Sequence, residues 1–243
     1  QELNVVDGAG VDIAGYDVTL GALNLEDGSD FSGIAEANIT LGGTDYAGTS
    51  SSVAGEHGYA GGIALTNGHT LTMTDAAGLG TSGVMSISED STLIFKSDTD
   101  SYGRDLEGSG NVVLQEKANI TLAGSNADFT GDFSIEGNST LVAAGTTTGG
   151  KSADELLGQG GNVAIASGST LELSQQGGQD WTIDNSLSGS GTVAVTGSGA
   201  DEEFGFSSTG WGENFNGTLD LTGIRFVVGA GNTIAGNNAA NMQ

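Results

Sequence analysis

The sequence predicts an all-β chain, a right-handed parallel β-helix (solenoid) with loop insertions, and three observations predict it. The first is an internal repeat. Ala37-Asn38-Ile39-Thr40-Leu41 returns as Ala118-Asn119-Ile120-Thr121-Leu122, and Leu106-x-Gly108-Ser109-Gly110-x-Val112 returns as Leu187-x-Gly189-Ser190-Gly191-x-Val193. Two further motifs recur in the same order: Tyr59-x-Gly61-x-Ile63-x-Leu65 as Phe129-x-Gly131-x-Phe133-x-Ile135, and Leu79-Gly80-x-x-Gly83 as Leu157-Gly158-x-x-Gly161. Repeats of short strands mark a solenoid, whose units bury their apolar faces only by stacking. The second observation is composition. Forty-four glycines and no proline suit a body of sharp corners in which nearly every backbone N–H is paired in a ladder. The third is spacing. A six-residue step separates Leu65 from Leu71, Ile87 from Leu93, Ile135 from Leu141 and Ile165 from Leu171, with turn formers between each pair.

Each element follows from alternation of apolar and polar residues over short runs. Taken in order, the predicted strands are Asp17–Leu20, Ala22–Leu25, Gly62–Leu65, Thr70–Met73, Val84–Ile87, Thr92–Phe95 and Asn111–Leu114. They continue as Ile120–Leu122, Asp132–Ile135, Thr140–Val142, Asn162–Ile165, Thr170–Leu173, Thr192–Val195 and Thr218–Leu221. Leu65, Leu71, Ile87, Leu93, Ile120, Leu122, Ile135, Leu141, Ile165 and Leu171 are expected in the core. Leu65 to Ile87 has the length of one β-helix rung, and Ile135 to Ile165 reads as a rung with about eight inserted residues, an irregularity that disfavours a strict hexapeptide helix. The one helical turn predicted is 152–157, where Ser152 and Glu155 have capping-box spacing. Comparing repeat offsets places insertions near Asp45–Gly58 and Gly197–Glu213, expected to leave the ladder as loops. The chain reads as a single fragment, 1–243, with units at about 37–106, 118–187 and 192–228. Its end at Gly231–Gln243 looks arbitrary.

Charge excludes one class of partner. Five basic residues against 31 acidic ones give a formal net charge of −26, the wrong sign for nucleic acid. No apolar run approaches the roughly 20 residues of a membrane-spanning helix. The absence of cysteine fits export in an unfolded state.

The run from Gly110 to Leu141 resembles the autotransporter-associated β-strand repeat of Gram-negative type V secretion passengers. The resemblance rests on Gly110-x-Val112, Lys117, Ile120-x-Leu122-x-Gly124-x-Asn126, Phe129-x-Gly131, Ile135, Gly137 and Thr140-Leu141. It implies a passenger exported through the outer membrane to the cell surface or beyond. It also implies adhesion of the self-associating or diffuse-adherence type, in aggregation, biofilm formation or host attachment. Partners on this reading are other copies on neighbouring cells, or a host glycan or matrix protein.

A search for catalytic chemistry finds little. His57 lies beside Glu56 in the first insertion, and His69 sits at a corner where homologous positions carry Asn or Ser, so it reads as a turn residue. Neither Gly-x-Ser-x-Gly nor Gly-Asp-Ser-Gly surrounds a nucleophile, and the recurring Gly-Ser-Gly marks structure. A β-helical polysaccharide-degrading enzyme is the rival reading, and the only cluster suited to it is Lys96, Asp98, Asp100, Tyr102, Arg104 and Asp105. As a solvated loop between rungs it needs no catalytic role. Asp201-Glu202-Glu203 is likewise expected at the surface. Asp98-x-Asp100 and Asp27-x-x-Asp30 do not continue as a calcium loop, so no cofactor and no metal are expected. A third reading makes the segment a stalk presenting another domain. For binding, the candidates are Asn38, Asn119, Asn126 and Asn138 on polar ladders, with Phe204, Phe206 and Trp211 as an aromatic contact patch.

Overall fold

A computed structural model describes residues 1–96, 99–146, 150–199 and 201–227. Asp98, Val228 and the segment 231–243 lie outside the described residues. The strands stack as a parallel β-solenoid of about ten turns, in which every pairing is parallel. One face is a continuous ten-stranded sheet. Its rungs are Glu2–Val5, Ala22–Leu25, Ser50–Val53, Thr70–Met73, Thr92–Phe95, Asn111–Leu114, Asp132–Ile135, Asn162–Ile165, Ser186–Gly189 and Asn214–Phe215.

The other two sides are assembled from shorter sheets. The second face carries Gly10–Asp12 and Asp30–Ser32, then a six-stranded sheet from Asp100–Tyr102 to Thr218–Thr222. The third carries six strands from Val18–Leu20 to Asp128–Phe129, and later three, Trp181–Ile183, Glu203–Phe206 and Arg225–Val227. Between those two blocks sits the helical turn Ala153–Leu157, with Ser152 as its N-cap accepting from the Glu155 N–H at 3.1 Å. Glu155 does not reach back to complete the box; its carboxylate accepts from the Ser125 hydroxyl at 2.7 Å instead.

The ten core residues expected from the repeat are all buried, and Leu65 does pair with Ile87, as Ile135 does with Ile165. The Gly-Ser-Gly corners explain themselves. Gly108 and Gly189 share a φ of +94°, and a Cβ there would run into the carbonyl of Ile87 or Ile165 on the rung before. Only glycine tolerates both demands.

The repeat unit, however, is not a whole number of turns. The corner between Leu65 and Leu71 joins the third face to the first, whereas its counterpart between Ile135 and Leu141 joins the first face to the second. From Tyr59 onward each copied motif therefore sits one face further round than its original, whereas Asn38–Leu41, which precedes the added strand Ser50–Val53, recurs on the second face instead of the first.

Both predicted insertions need correction. Ser50–Val53, inside the first, is a full rung of the ten-stranded face, with Ser51 and Val53 buried. Glu203–Phe206, inside the second, pairs with Trp181–Ile183 and Arg225–Val227. The first offset change registers an added strand; the second lengthens the connections around Glu203–Phe206, which takes the place that Asn119–Leu122 holds between Leu106 and Phe129, and the ladder stays intact in both.

Candidate interaction surface

The ten-stranded face presents two outward rows to solvent. In register, one row reads Glu2, Ala22, Ser50, Thr70, Thr92, Asn111, Asp132, Asn162 and Ser186. The other reads Asn4, Asn24, Ser52, Thr72, Ile94, Val113, Ser134, Ala164, Ser188 and Asn214. Glu2 and Asp132 are the only charged side chains at these positions, on a chain of net charge −26. Nine steps of about 4.8 Å make this face roughly 43 Å long. Its polar groups are cross-linked from rung to rung. Asn24 Nδ2 donates to Asn4 Oδ1 at 2.8 Å and to Glu2 Oε1 at 2.9 Å, and Asn162 Nδ2 donates to Ser188 Oγ at 3.0 Å. At mid-height, Ile94 pairs directly with Val113, giving a small apolar centre.

The four asparagines expected on polar ladders stand at unrelated places in the fold. Asn38 is exposed on the third face, where its Nδ2 donates to Asp17 Oδ1 at 3.0 Å. Asn119 opens a second-face strand opposite Thr140. Asn138 is exposed at a corner with φ +61°. Asn126 is a core residue: its Oδ1 accepts from the Leu106 N–H at 2.8 Å and its Nδ2 donates to the Leu156 carbonyl at 2.6 Å. Phe204, Phe206 and Trp211 are also core, not contact patch. Trp211 stacks on Phe206 with centroids 3.9 Å apart, and Phe204 packs against Trp181 at 4.5 Å. The alternation of Phe204-x-Phe206 is that of a strand, and it turns both rings inward.

The cluster around Arg104 is likewise not a solvated loop. Asp100–Tyr102 and Asp105–Gly108 are strands, and Tyr102 and Arg104 are fully buried. Among the described residues Arg104 has no carboxylate partner. Its guanidinium donates to the Gly61 carbonyl at 2.8 Å, to Tyr59 at 3.1 Å and to Leu79 at 2.5 and 3.0 Å, while lying 5.4 Å from the Tyr59 ring centroid. Burial pulls its pKa below the ordinary value, yet a guanidinium stays charged. Glu202, expected at the surface, is buried and accepts from the Ser198 N–H at 2.6 Å.

His69 occupies its corner but points inward, fully buried. The Thr49 hydroxyl donates to the Tyr46 carbonyl, so its oxygen accepts from His69 Nδ1–H at 2.9 Å. The other ring nitrogen, Nε2, then accepts from the Ser51 hydroxyl at 2.8 Å, whose oxygen accepts from the Leu23 N–H. Only a neutral imidazole completes this chain, and burial lowers the His69 pKa to about 4. The network is closed and inaccessible, so it holds rungs together. His57 is buried too, its Nε2 3.0 Å from the Ala54 carbonyl.

One pairing was invisible in the sequence. Asp75 and Asp100, 25 residues apart, meet on adjacent rungs and share the Ala77 N–H at 2.9 and 3.2 Å. Burial and the Asp100 carboxyl push the Asp75 pKa up. Burial also opposes the Asp100 charge, but the Asp75 carboxyl and the Ser101 and Ala77 N–H groups outweigh it and hold Asp100 down. Asp75 therefore keeps the shared proton. Among the described residues no group of three or more His, Asp or Glu side chains is disposed to hold a metal ion, and no helix is long and apolar enough to cross a membrane.

No family model matches the chain, and no solved structure matches it. It is similar to an uncharacterized protein of Escherichia coli (strain K12), YuaQ, with 27% identity over 148 residues. The match covers 59% of this chain and 10% of the relative, so it spans about a tenth of that protein's length.

Proposed function

We propose that the chain is a non-catalytic adhesion module, part of an autotransporter-type passenger displayed on a bacterial surface, and that copies associate through the ten-stranded face. The observation that carries this reading is the segregation of charge. Two molecules of net charge −26 repel wherever acidic corners meet, and the ten-stranded face lets them approach with two carboxylates in its outward rows. A strip roughly 43 by 10 Å covers about half of the ~800 Å² per partner in a standard stable interface. Each contact is then weak, and many copies on two cells add to a firm attachment.

The test displays the chain on non-aggregating cells and scores settling. T72E/V113E places two carboxylates at the centre of the face and is expected to abolish settling. T44E/S167E adds the same charge at exposed corners and is expected to reduce it only slightly. Equal loss from both pairs would reduce the effect to net charge and remove the face from the argument. Settling should strengthen with added salt, which screens the corner acids. Wild-type chain that never promotes settling would favour a stalk.

The rival enzymatic reading draws support from the proton-sharing Asp75–Asp100 pair, an arrangement used for general acid–base work. Release of new reducing ends from a polysaccharide, lost in D75N and D100N, would establish it in place of the adhesive reading.

A further inference from the structure

We infer that the second face carries a separate binding groove for an amino-sugar chain, centred on Ala194. This site lies away from the ten-stranded face and does not depend on its role. Over the last four rungs the second-face strands lengthen to Thr140–Thr146, Thr170–Gln176, Thr192–Gly197 and Thr218–Thr222. An open groove of about 420 Å³ lies on their outer surface. Its floor is Ala194, which pairs with Glu172 on the rung before and with Asp220 on the rung after. The two exposed carboxylates therefore face each other across the space that a longer side chain at 194 would fill. Two rung steps put their backbones about 10 Å apart.

Hydroxyls flank this acidic row on both sides. Thr170, Thr192 and Thr218 stand in register on one side, and Ser174, Thr196 and Thr222 on the other. The face thus offers two anionic acceptors between two rails of neutral donor–acceptor groups. Neither the Glu172 nor the Asp220 carboxylate makes a hydrogen bond or ion pair with another described residue. The ion pairs among the described residues are Lys96 with Glu116 and Arg225 with Glu203, both elsewhere.

Charge and spacing together select the ligand class. Unpaired carboxylates call for a cation, which excludes uronate-bearing or sulfated glycans. A peptide repeats every 3.3–3.4 Å and falls out of step with rungs about 4.8 Å apart, whereas an extended pyranose chain advances by roughly one rung per ring. A chain of glucosamine units supplies both the ammonium for Glu172 and Asp220 and the hydroxyls for the rails. The groove has no exposed aromatic platform, so recognition rests on charge and hydrogen bonds, and single-site affinity is weak.

The test uses the chain as it stands, titrated calorimetrically with a β-1,4-glucosamine hexamer, a neutral cello-hexamer, an oligogalacturonate and a hexalysine peptide. The glucosamine hexamer is expected to bind, the neutral hexamer at least tenfold more weakly, and the galacturonate not at all. A194F fills the groove and leaves the net charge at −26, so it separates the site from general attraction of cations. It should cost tenfold or more for glucosamine, as should E172Q/D220N. Glucosamine binding unchanged in A194F, or hexalysine bound as tightly as glucosamine and equally sensitive to A194F, would overturn the proposal.

Discussion

Replacing Arg104 with Ala tests how the rungs are tied together. The guanidinium on the fifth rung makes four hydrogen bonds to three carbonyls, Tyr59 and Gly61 on the third and Leu79 on the fourth. Alanine leaves those acceptors buried without a donor, at about 1–3 kcal/mol each. Against that stands the solvation regained when a buried charge is removed, several kcal/mol in size. Water entering the vacated volume also satisfies part of the loss. The balance is a net destabilisation of about 3–5 kcal/mol. R104K keeps the charge but not the planar fork, and should recover only part of it. Solenoid stability is a sum of nearest-neighbour terms, so the damage should be local. Hydrogen exchange is the deciding assay: amides of rungs three to five lose protection, while those of rungs eight to ten keep theirs. A cost below about 1 kcal/mol, or loosening spread evenly along the chain, would refute the view of Arg104 as a cross-rung tie.

Three further outcomes follow from the same geometry. His69 has a folded pKa of about 4 against an ordinary 6.5, so its contribution is fully present above pH 6.5 and is lost as pH falls toward 4. With about 1.4 kcal/mol per unit this is at most about 3.5 kcal/mol. Thermal melts of H69Q should therefore vary less with pH than wild type over that window; parallel curves would contradict the neutral-imidazole network. The raised pKa of Asp75 favours folding below its ordinary value and ceases to do so as pH rises through the folded one. D75N should accordingly raise the melting temperature at pH 7 and lose that advantage near pH 4, and a lower melting temperature at pH 7 would count against the shared proton. Finally, G108A meets the Ile87 carbonyl at φ +94°, whereas G8A at φ +74° meets nothing within 4 Å. G8A should cost about 1–2 kcal/mol and G108A clearly more, measured by chemical denaturation; equal costs would mean that rung contact adds nothing to backbone strain.

The fold was legible because burial obeys a local rule. Alternation in Thr70–Met73 or Thr170–Leu173 needs no partner to be recognised, and the six-residue corner step recurs beside it. Two of the strands that escaped notice lack such a pattern. Ser50–Val53 is three serines and a valine, and Asp100–Tyr102 begins on an acid; each is a strand because the rungs above and below supply its hydrogen bonds. Arg104 escaped for a related reason. A buried cation without a carboxylate is unexpected from sequence, and its partners are carbonyls 25, 43 and 45 residues away. The sequence did hold one overlooked signal: His69, Ser91, Ser139 and Ser169 occupy equivalent corners, and all four are buried.

The displacement of repeated motifs from one face to another explains why similarity along the chain does not become similarity along a face. Asn38-Ile39-Thr40-Leu41 lies on the third face and its copy Asn119-Ile120-Thr121-Leu122 on the second, so identical motifs present their asparagines in different directions. A binding face built by repetition would require units of whole turns. Here each face samples different parts of the unit, and its composition is set rung by rung. That the first face nonetheless keeps its two outward rows nearly free of charge over ten rungs, while Glu26, Asp27, Glu89, Asp90, Glu116 and Glu136 occupy exposed or half-buried corners, is not inherited from the repeat. It is a property of the stacked surface, which is why T72E/V113E perturbs something that no single motif encodes.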